Sequence, residues 1–281
     1  MRSVFLPKNL HEVWEAWDRE PMAAVYAGGT DLLVKLRAGL MDPPALICIE
    51  RVKELKGVRC EEDSVFIGAG NTHAELLDDK TVQAHFPVLV QALHVLAAPP
   101  IRHMGTIGGN VANASAAGDT LPPLYILDAE VEIWSRRGSR TLPITQFIQG
   151  PGKVLLKRGE LVGGLRIKKR SGRWVHLYEK VGLRKAQACA VASLAAILKT
   201  DANGVVEEAR LAWGSVGPTV VVCPEAEQAL KGRPLCAEAL RDAMPAVQTA
   251  ISPIDDIRAT ASYRRHVAGS LLLRLSLLDE S

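Results

Sequence analysis

Between Ile101 and Asp119 the chain reads Ile-Arg-His-Met-Gly-Thr-Ile-Gly-Gly-Asn-Val-Ala-Asn-Ala-Ser-Ala-Ala-Gly-Asp, and no other segment limits the fold as much. With few large side chains, its backbone is able to lie against a flat ring while amides, Thr106, Asn110 and Ser115 donate hydrogen bonds. The pattern reads as a long loop, and loops of that length are uncommon unless functional. Asp119 at its end is of the type that accepts from ribose hydroxyls in other dinucleotide sites.

A second glycine segment is Tyr26-Ala27-Gly28-Gly29-Thr30-Asp31-Leu32-Leu33. Adjacent glycines after a strand permit positive φ and aim successive N–H groups at one point, a nest for an anion such as phosphate. Thr30 adds a hydroxyl, and residues 32–36 are expected to continue as a helix whose positive end faces the same point. The alternative is a tight strand-to-helix turn that holds nothing.

Composition removes several classes of function. The 281 residues suit two domains, and 48% apolar with 23% charged is ordinary for a globular chain. A net charge of +3 and 5% aromatics give no basis for nucleic-acid binding. The longest apolar run, 191–198, stops at Lys199, so no spanning helix is expected, and residues 1–8 lack a stretch of signal-peptide length. Cys48, Cys60, Cys189, Cys223 and Cys236 form no C-x-x-C pair; each reads as a small buried residue in a reducing, cytoplasmic compartment. The histidines show no metal-ligand spacing and read as surface or cap residues, with His103 alone inside a candidate site. Gly68-Ala69-Gly70 fails as a Rossmann fingerprint because His73 stands where the third glycine belongs.

The order of elements is α+β throughout. Helices are expected at 10–18, 87–97, 225–231 and 236–249, with strands at 64–69 and 129–134. Thr72 and Glu75 form a capping box, and Asp201-Ala202-Asn203-Gly204 reads as a hairpin turn. The basic, small stretch Arg170-Ser171-Gly172-Arg173 reads as a boundary.

The two glycine segments resemble the signatures A-G-G-(T/S/H)-(D/N/S) and G-T-I-G-G-N-x-A-N-A-S-x-A-G-D. These belong to the FAD-binding (medium) subunit of the molybdenum hydroxylases, the family of xanthine dehydrogenase, carbon monoxide dehydrogenase and 4-hydroxybenzoyl-CoA reductase. Leu121-Pro122-Pro123-Leu124 continues the second signature. Tyr178-Glu179-Lys180-Val181-Gly182-Leu183-Arg184-Lys185-Ala186 resembles the family's F/Y-x-K-V-G-x-R-x-A strand. Pro253-Ile254-Asp255-Asp256-Ile257-Arg258-Ala259-Thr260-Ala261-Ser262-Tyr263-Arg264 resembles its C-terminal P-x-x-D-x-R-A-x-A-x-Y-R.

The resemblance implies a two-lobed FAD-binding domain of vanillyl-alcohol-oxidase-like (PCMH-type) fold over 1–172, with lobes of about 1–55 and 56–172. A smaller α+β domain like the C-terminal domain of the CO dehydrogenase flavoprotein would occupy 173–281. It implies non-covalent FAD, with Ala27, Gly28, Gly29, Thr30, Asp31 and Leu32 at the pyrophosphate turn. Thr106, Ile107, Gly108, Gly109 and Asn110 would lie along the flavin and pyrophosphate, followed by Ser115, with Asp119 near the adenosine half. Leu96 falls at the cofactor's edge, Val162 near the flavin, and Lys180 close to its exposed side, where it and Arg184 would act electrostatically. Ala116 departs from the usual proline, and no cysteine-bearing insertion suggests an extra cluster.

By the same resemblance the chain is one subunit of an oxidoreductase and carries no metal. A molybdopterin large subunit would oxidise the substrate, and a small subunit with 2Fe–2S clusters would pass electrons to this FAD and on to NAD⁺ or another acceptor, in a dimer of heterotrimers. A self-sufficient FAD oxidoreductase is the rival enzyme. A non-catalytic assembly subunit without FAD is the rival of another class, opposed by the paired glycines if only a ligand requires them.

Overall fold

A computed structural model describes residues 2–278 of the chain. In chain order these form β1 (Ser3–Phe5), α1 (Leu10–Arg19), β2 (Ala24–Tyr26), α2 (Leu32–Arg37) and β3 (Ala45–Cys48). Next come β4 (Val58–Cys60), β5 (Ser64–Gly68), α3 (His73–Asp78), α4 (Lys80–His85), α5 (Pro87–Val95), α6 (Pro99–Met104), α7 (Ile107–Asn113) and α8 (Leu121–Ile126). Then follow β6 (Glu130–Ser135), β7 (Gly138–Pro143), α9 (Ile144–Phe147), β8 (Ile148–Gly150), β9 (Lys153–Val154) and β10 (Glu160–Lys168). The last are β11 (Val175–Val181), β12 (Ala192–Thr200), β13 (Val206–Gly214), β14 (Val221–Val222), α10 (Pro224–Leu230), α11 (Ala237–Ala250) and α12 (Ala261–Ser270).

These elements form two compact units that interleave along the sequence. Residues up to Thr81, 98–113 and 129–169 build the first; 82–97, 114–128 and those from Arg170 onward build the second.

In the first unit a parallel sheet has the order β1-β3-β2. Its middle strand β3 is buried at all four residues, which is why it reads as an unbroken apolar run. An antiparallel sheet has the order β4-β5-β10-β6-β7. In β6, buried Val131 and Ile133 alternate with Glu130 and Glu132, as a strand with one face on the core requires. The middle strand β10 bulges between Val162 and Gly164. Glycine is obligatory at 163, where a Cβ would overlap the Trp134 indole. The expected capping box opens α3: Glu75 N–H donates to Thr72 Oγ1 at 3.1 Å, and Thr72 N–H to Glu75 Oε2 at 2.6 Å.

The second unit is an antiparallel sheet ordered β11-β12-β13-β14. Helices α5, α8 and α12 pack against β12, which is buried from Ala192 to Leu198. Trp213 on β13 is wholly buried and donates its indole N–H to Ala268 O at 3.0 Å, fixing α12. The hairpin at Asp201 closes as expected, with Asp201 Oδ1 accepting from Asn203 N and Val205 N.

The structure corrects three expectations. The segment from Gly105 to Asp119 is not a long loop, because α7 runs straight through Gly108 and Gly109. Glycines weaken a helix, but the first amides of α7 are satisfied externally: Ile107 N–H donates to Asn71 O and Gly108 N–H to Ala69 O. Only Cys48 and Cys223 are buried; Cys60 lies on the edge strand β4, Cys189 between β11 and β12, and Cys236 caps α11. His73 is a buried residue, as described below. Among the described residues, no helix is long and apolar enough to cross a membrane.

Candidate functional site

Within the first unit the two glycine segments meet. The chain leaves β2 at Tyr26 and turns through Gly28 and Gly29 into α2, with Gly29 at φ +70°, where a side chain is strained. Gly28 lies flat on the second segment: a Cβ there would overlap the Met104 carbonyl oxygen and sit 3.1 Å from Gly105 N. Lys35 ties the same pair, its ammonium 2.6 Å from Asp31 Oδ2 and donating to Asn113 Oδ1 at 3.0 Å.

A third strand of chain runs behind them. Ala69 N–H donates to Gly163 O at the β10 bulge (3.0 Å), Ala69 O accepts from Gly108 N (2.9 Å), and Gly105 O accepts from His73 N (3.0 Å). Val162 is therefore carried beside the glycine helix by main-chain bonding, itself buried in β10.

The glycines serve different purposes. A Cβ on Gly108 would overlap Ala69 Cβ and lie 2.8 Å from Ala69 O, so this glycine is required by the fold alone, as is Gly28. Gly109 is the exception. It is exposed, and a Cβ there would meet only Thr106 Oγ1, at 3.0 Å. Thr106 Oγ1 accepts the Gly109 N–H at 3.1 Å and so fixes this turn. The open side of Gly109 is where a flat or anionic group can approach bare backbone. The paired glycines therefore discriminate less against a chain that has lost its ligand than the sequence suggests, because three of the four are needed regardless: Gly28 and Gly108 by close packing and Gly29 by its φ of +70°.

The remaining candidates stand in the second unit. Lys180 on β11 donates to Asp119 Oδ2 at 2.8 Å and to Val95 O at 2.7 Å, next to Leu96, the buried cap residue of α5. Tyr178 OH donates to Asp119 Oδ1 at 2.9 Å. Asp119 thus uses one lone pair of each oxygen inside the unit and retains the others. Burial pushes its carboxyl upward, against the downward pull of Lys180 and Tyr178, and the balance is upward. Burial also raises the Tyr178 hydroxyl well above its ordinary range. Ser115 Oγ accepts from Ala117 N at 3.3 Å. Arg184 is exposed, its guanidinium on Gln187 O.

Sequence reasoning missed His73. It is only 3% exposed, its imidazole packs at Gly105, and its Nδ1 has no partner. Burial, reinforced by the charge of Arg102, drives its pKa down to about 4, so it is neutral at ordinary pH. The capping box placed its backbone correctly, but its burial depends on the segment at Gly105 passing over it. His103, the expected site histidine, is exposed.

The fold is α+β, with a strand-to-helix glycine turn set against a second glycine helix and one backbone face of that helix left open. Residues 1–168 match the family described as "FAD binding domain in molybdopterin dehydrogenase", and 177–278 that described as "CO dehydrogenase flavoprotein C-terminal domain". The chain belongs to the molybdenum hydroxylase family, as its FAD-binding subunit. It is 34% identical to the xanthine dehydrogenase FAD-binding subunit of Escherichia coli O157:H7, over 88% of this chain and 85% of that one. With the carbon monoxide dehydrogenase medium chain of Hydrogenophaga pseudoflava it shares 31% identity, over 90% and 87%. The solved quinoline 2-oxidoreductase of Pseudomonas putida 86 superposes with a TM-score of 0.93 at 27% identity, covering 99% of this chain and 96% of that one.

Proposed function

We propose that this chain carries electrons through FAD from the 2Fe–2S clusters of a small subunit to NAD⁺ or another acceptor, a molybdopterin large subunit oxidising the substrate. Cytoplasmic assembly as a dimer of heterotrimers belongs to the same reading. The open face of Gly109 beside the Gly28–Gly29 turn is the observation that carries it: the residues present fit a dinucleotide bound by backbone.

When bound, FAD supplies one- and two-electron redox chemistry. The chain's own part is to bind and orient. Ala27, Gly28, Gly29, Thr30, Asp31 and Leu32 present amides and a hydroxyl for the pyrophosphate, an arrangement that neutralises charge without a basic pocket. Thr106 fixes the amide of Gly109, Ile107 and Gly108 anchor the helix behind it, and Asn110 supplies a side-chain amide on the same helix. Val162 lends an apolar wall. Leu96, Ser115, Asp119 and Lys180 are proposed as cofactor residues on the family resemblance.

Reconstitution tests this reading. Protein stripped of flavin and mixed with FAD is expected to recover flavin absorbance with one FAD per chain, and to accept electrons only when the cluster-bearing partner is present. Failure to take up FAD would refute the site; turnover of a hydroxylase substrate by the isolated chain would refute the division of labour.

A further inference from the structure

An acid stands in the turn proposed for the pyrophosphate. Asp31 follows Gly29 by two residues, and a carboxylate there repels the doubly charged group that the turn's amides attract. Asp31 also precedes the first turn of α2, a position where aspartate ordinarily accepts a backbone N–H. It makes no such bond. Its Oδ2 lies instead 2.6 Å from the ammonium of Lys35, one helical turn further on.

The same ammonium donates to Asn113 Oδ1 at 3.0 Å, at the last residue of α7. Lys35 therefore joins the two glycine segments at a second place, the first being the packing of Gly28 on Met104 and Gly105. No residue of α2 is buried, so apolar packing does little to hold this helix to the rest of the first unit. The Lys35 and Asp31 side chains are 37% and 47% exposed. A pair so exposed adds little to folding stability. Its electrostatic effect falls on whatever charged group approaches the turn.

We propose that Lys35 is a positioning residue for the cofactor, cancelling the charge of Asp31 so that the pyrophosphate of FAD meets a turn without net charge; this rests on the FAD reading of the site. Lys35 does not serve here as a phosphate-binding lysine, because its ammonium is held by Asp31 and Asn113. Asp31 in return restrains the flexible lysine stem against Asn113. A direct phosphate contact would behave differently. If Lys35 bound phosphate itself, its loss would weaken FAD whatever stood at position 31. Acting through Asp31, its loss matters only while position 31 carries a charge.

The test uses the full chain stripped of flavin and titrated with FAD by fluorescence, with thermal melts to confirm folding. Lys35→Gln keeps a donor for Asn113 but not the charge, and is expected to weaken FAD about fivefold at low salt. In about 0.5 M salt the deficit should fall below about twofold, because exposed charges are screened. Asp31→Asn alone should bind FAD at least as tightly as wild type. Asp31→Asn with Lys35→Gln should return to within about twofold of wild type, the pair being coupled. A loss that Asp31→Asn does not rescue overturns the proposal and assigns Lys35 to the phosphate. A loss that salt leaves unchanged overturns it as well, assigning Lys35 to the shape of the turn, and so does the absence of any loss in Lys35→Gln. If wild-type chain takes up no FAD at either salt concentration, the cofactor reading itself falls, and the role of Lys35 with it.

Discussion

Replacing Lys180 with methionine isolates the buried ion pair of the second unit. Lys180 and Asp119 side chains are only 8% and 9% exposed, and the ammonium lies 2.8 Å from Asp119 Oδ2. Removing one partner of such a pair leaves an uncompensated buried charge, at about 3–5 kcal/mol. For a protein of this size each kcal/mol shifts Tm by roughly 2–4 °C, so Lys180→Met should melt about 6–20 °C lower. The pH dependence has a defined sign. Burial already raises Asp119 above its ordinary value, and Lys180 is the larger of the two groups that oppose it, Tyr178 being the other. Without Lys180 the folded pKa climbs further. A carboxyl with a raised folded pKa favours folding most when protonated, and that advantage is lost as pH rises through the folded pKa. The penalty of Lys180→Met should therefore be larger at pH 8 than at pH 5. Adding Asp119→Asn to Lys180→Met removes the stranded charge and should recover most of the loss, a coupling of about 2 kcal/mol or more. Urea unfolding at both pH values measures all three proteins. A Lys180→Met loss below about 1 kcal/mol with no pH dependence would refute the claim that the pair is buried and mutually dependent.

Three other outcomes are expected. His73 is held near pKa 4 while an unfolded histidine titrates near 6.5, so native stability should fall by about 3 kcal/mol as pH drops through that interval; His73→Gln should flatten the profile, and an unchanged profile would assign the acid sensitivity elsewhere. Gly108→Val should lower the stability of flavin-free protein through its clash with Ala69, whereas Gly109→Val should leave flavin-free stability nearly unchanged and abolish FAD uptake; equal effects of both on stability would contradict the distinction between them. Lys35→Met should change stability by less than about 1 kcal/mol, since the lysine is over a third exposed, but weaken FAD about tenfold through loss of the charge-assisted bond to Asn113. Lys35→Arg should restore part of that affinity, and fluorescence titration showing no change for Lys35→Met would remove the tether from the cofactor site.

Much of the fold was legible because its signals are local. The Thr72–Glu75 capping box, the alternation of β6 and the Asp201 hairpin depend on residues within a turn or a strand of one another. β10 was not legible. Its interior is buried on nearly every residue and interrupted by Gly163 and Gly164, so neither a period of two nor a helical period emerges. The glycine segment at 105 misled for a related reason. Its composition argues for a loop, and α7 exists because carbonyls of Ala69 and Asn71, distant in sequence, receive its first amides. The interleaving of the units is equally non-local: 82–97 and 114–128 pack with β11 to β13, a choice made by tertiary contacts.

The same distinction governs how much a motif says about a ligand. Gly28 and Gly108 are as necessary to an empty fold as to a loaded one, since Met104 and Ala69 fill the space a side chain would need. Their presence identifies the architecture. Gly109 alone faces outward with nothing but Thr106 Oγ1 near its absent Cβ, so only there does glycine leave room for something beyond the chain. A sequence weights all four glycines equally, because it cannot distinguish backbone that packs on backbone from backbone that is left bare. Mutational loss of FAD at position 109 without loss of stability is consequently stronger support for the cofactor site than loss at position 28 or 108, where unfolding produces the same colourless protein.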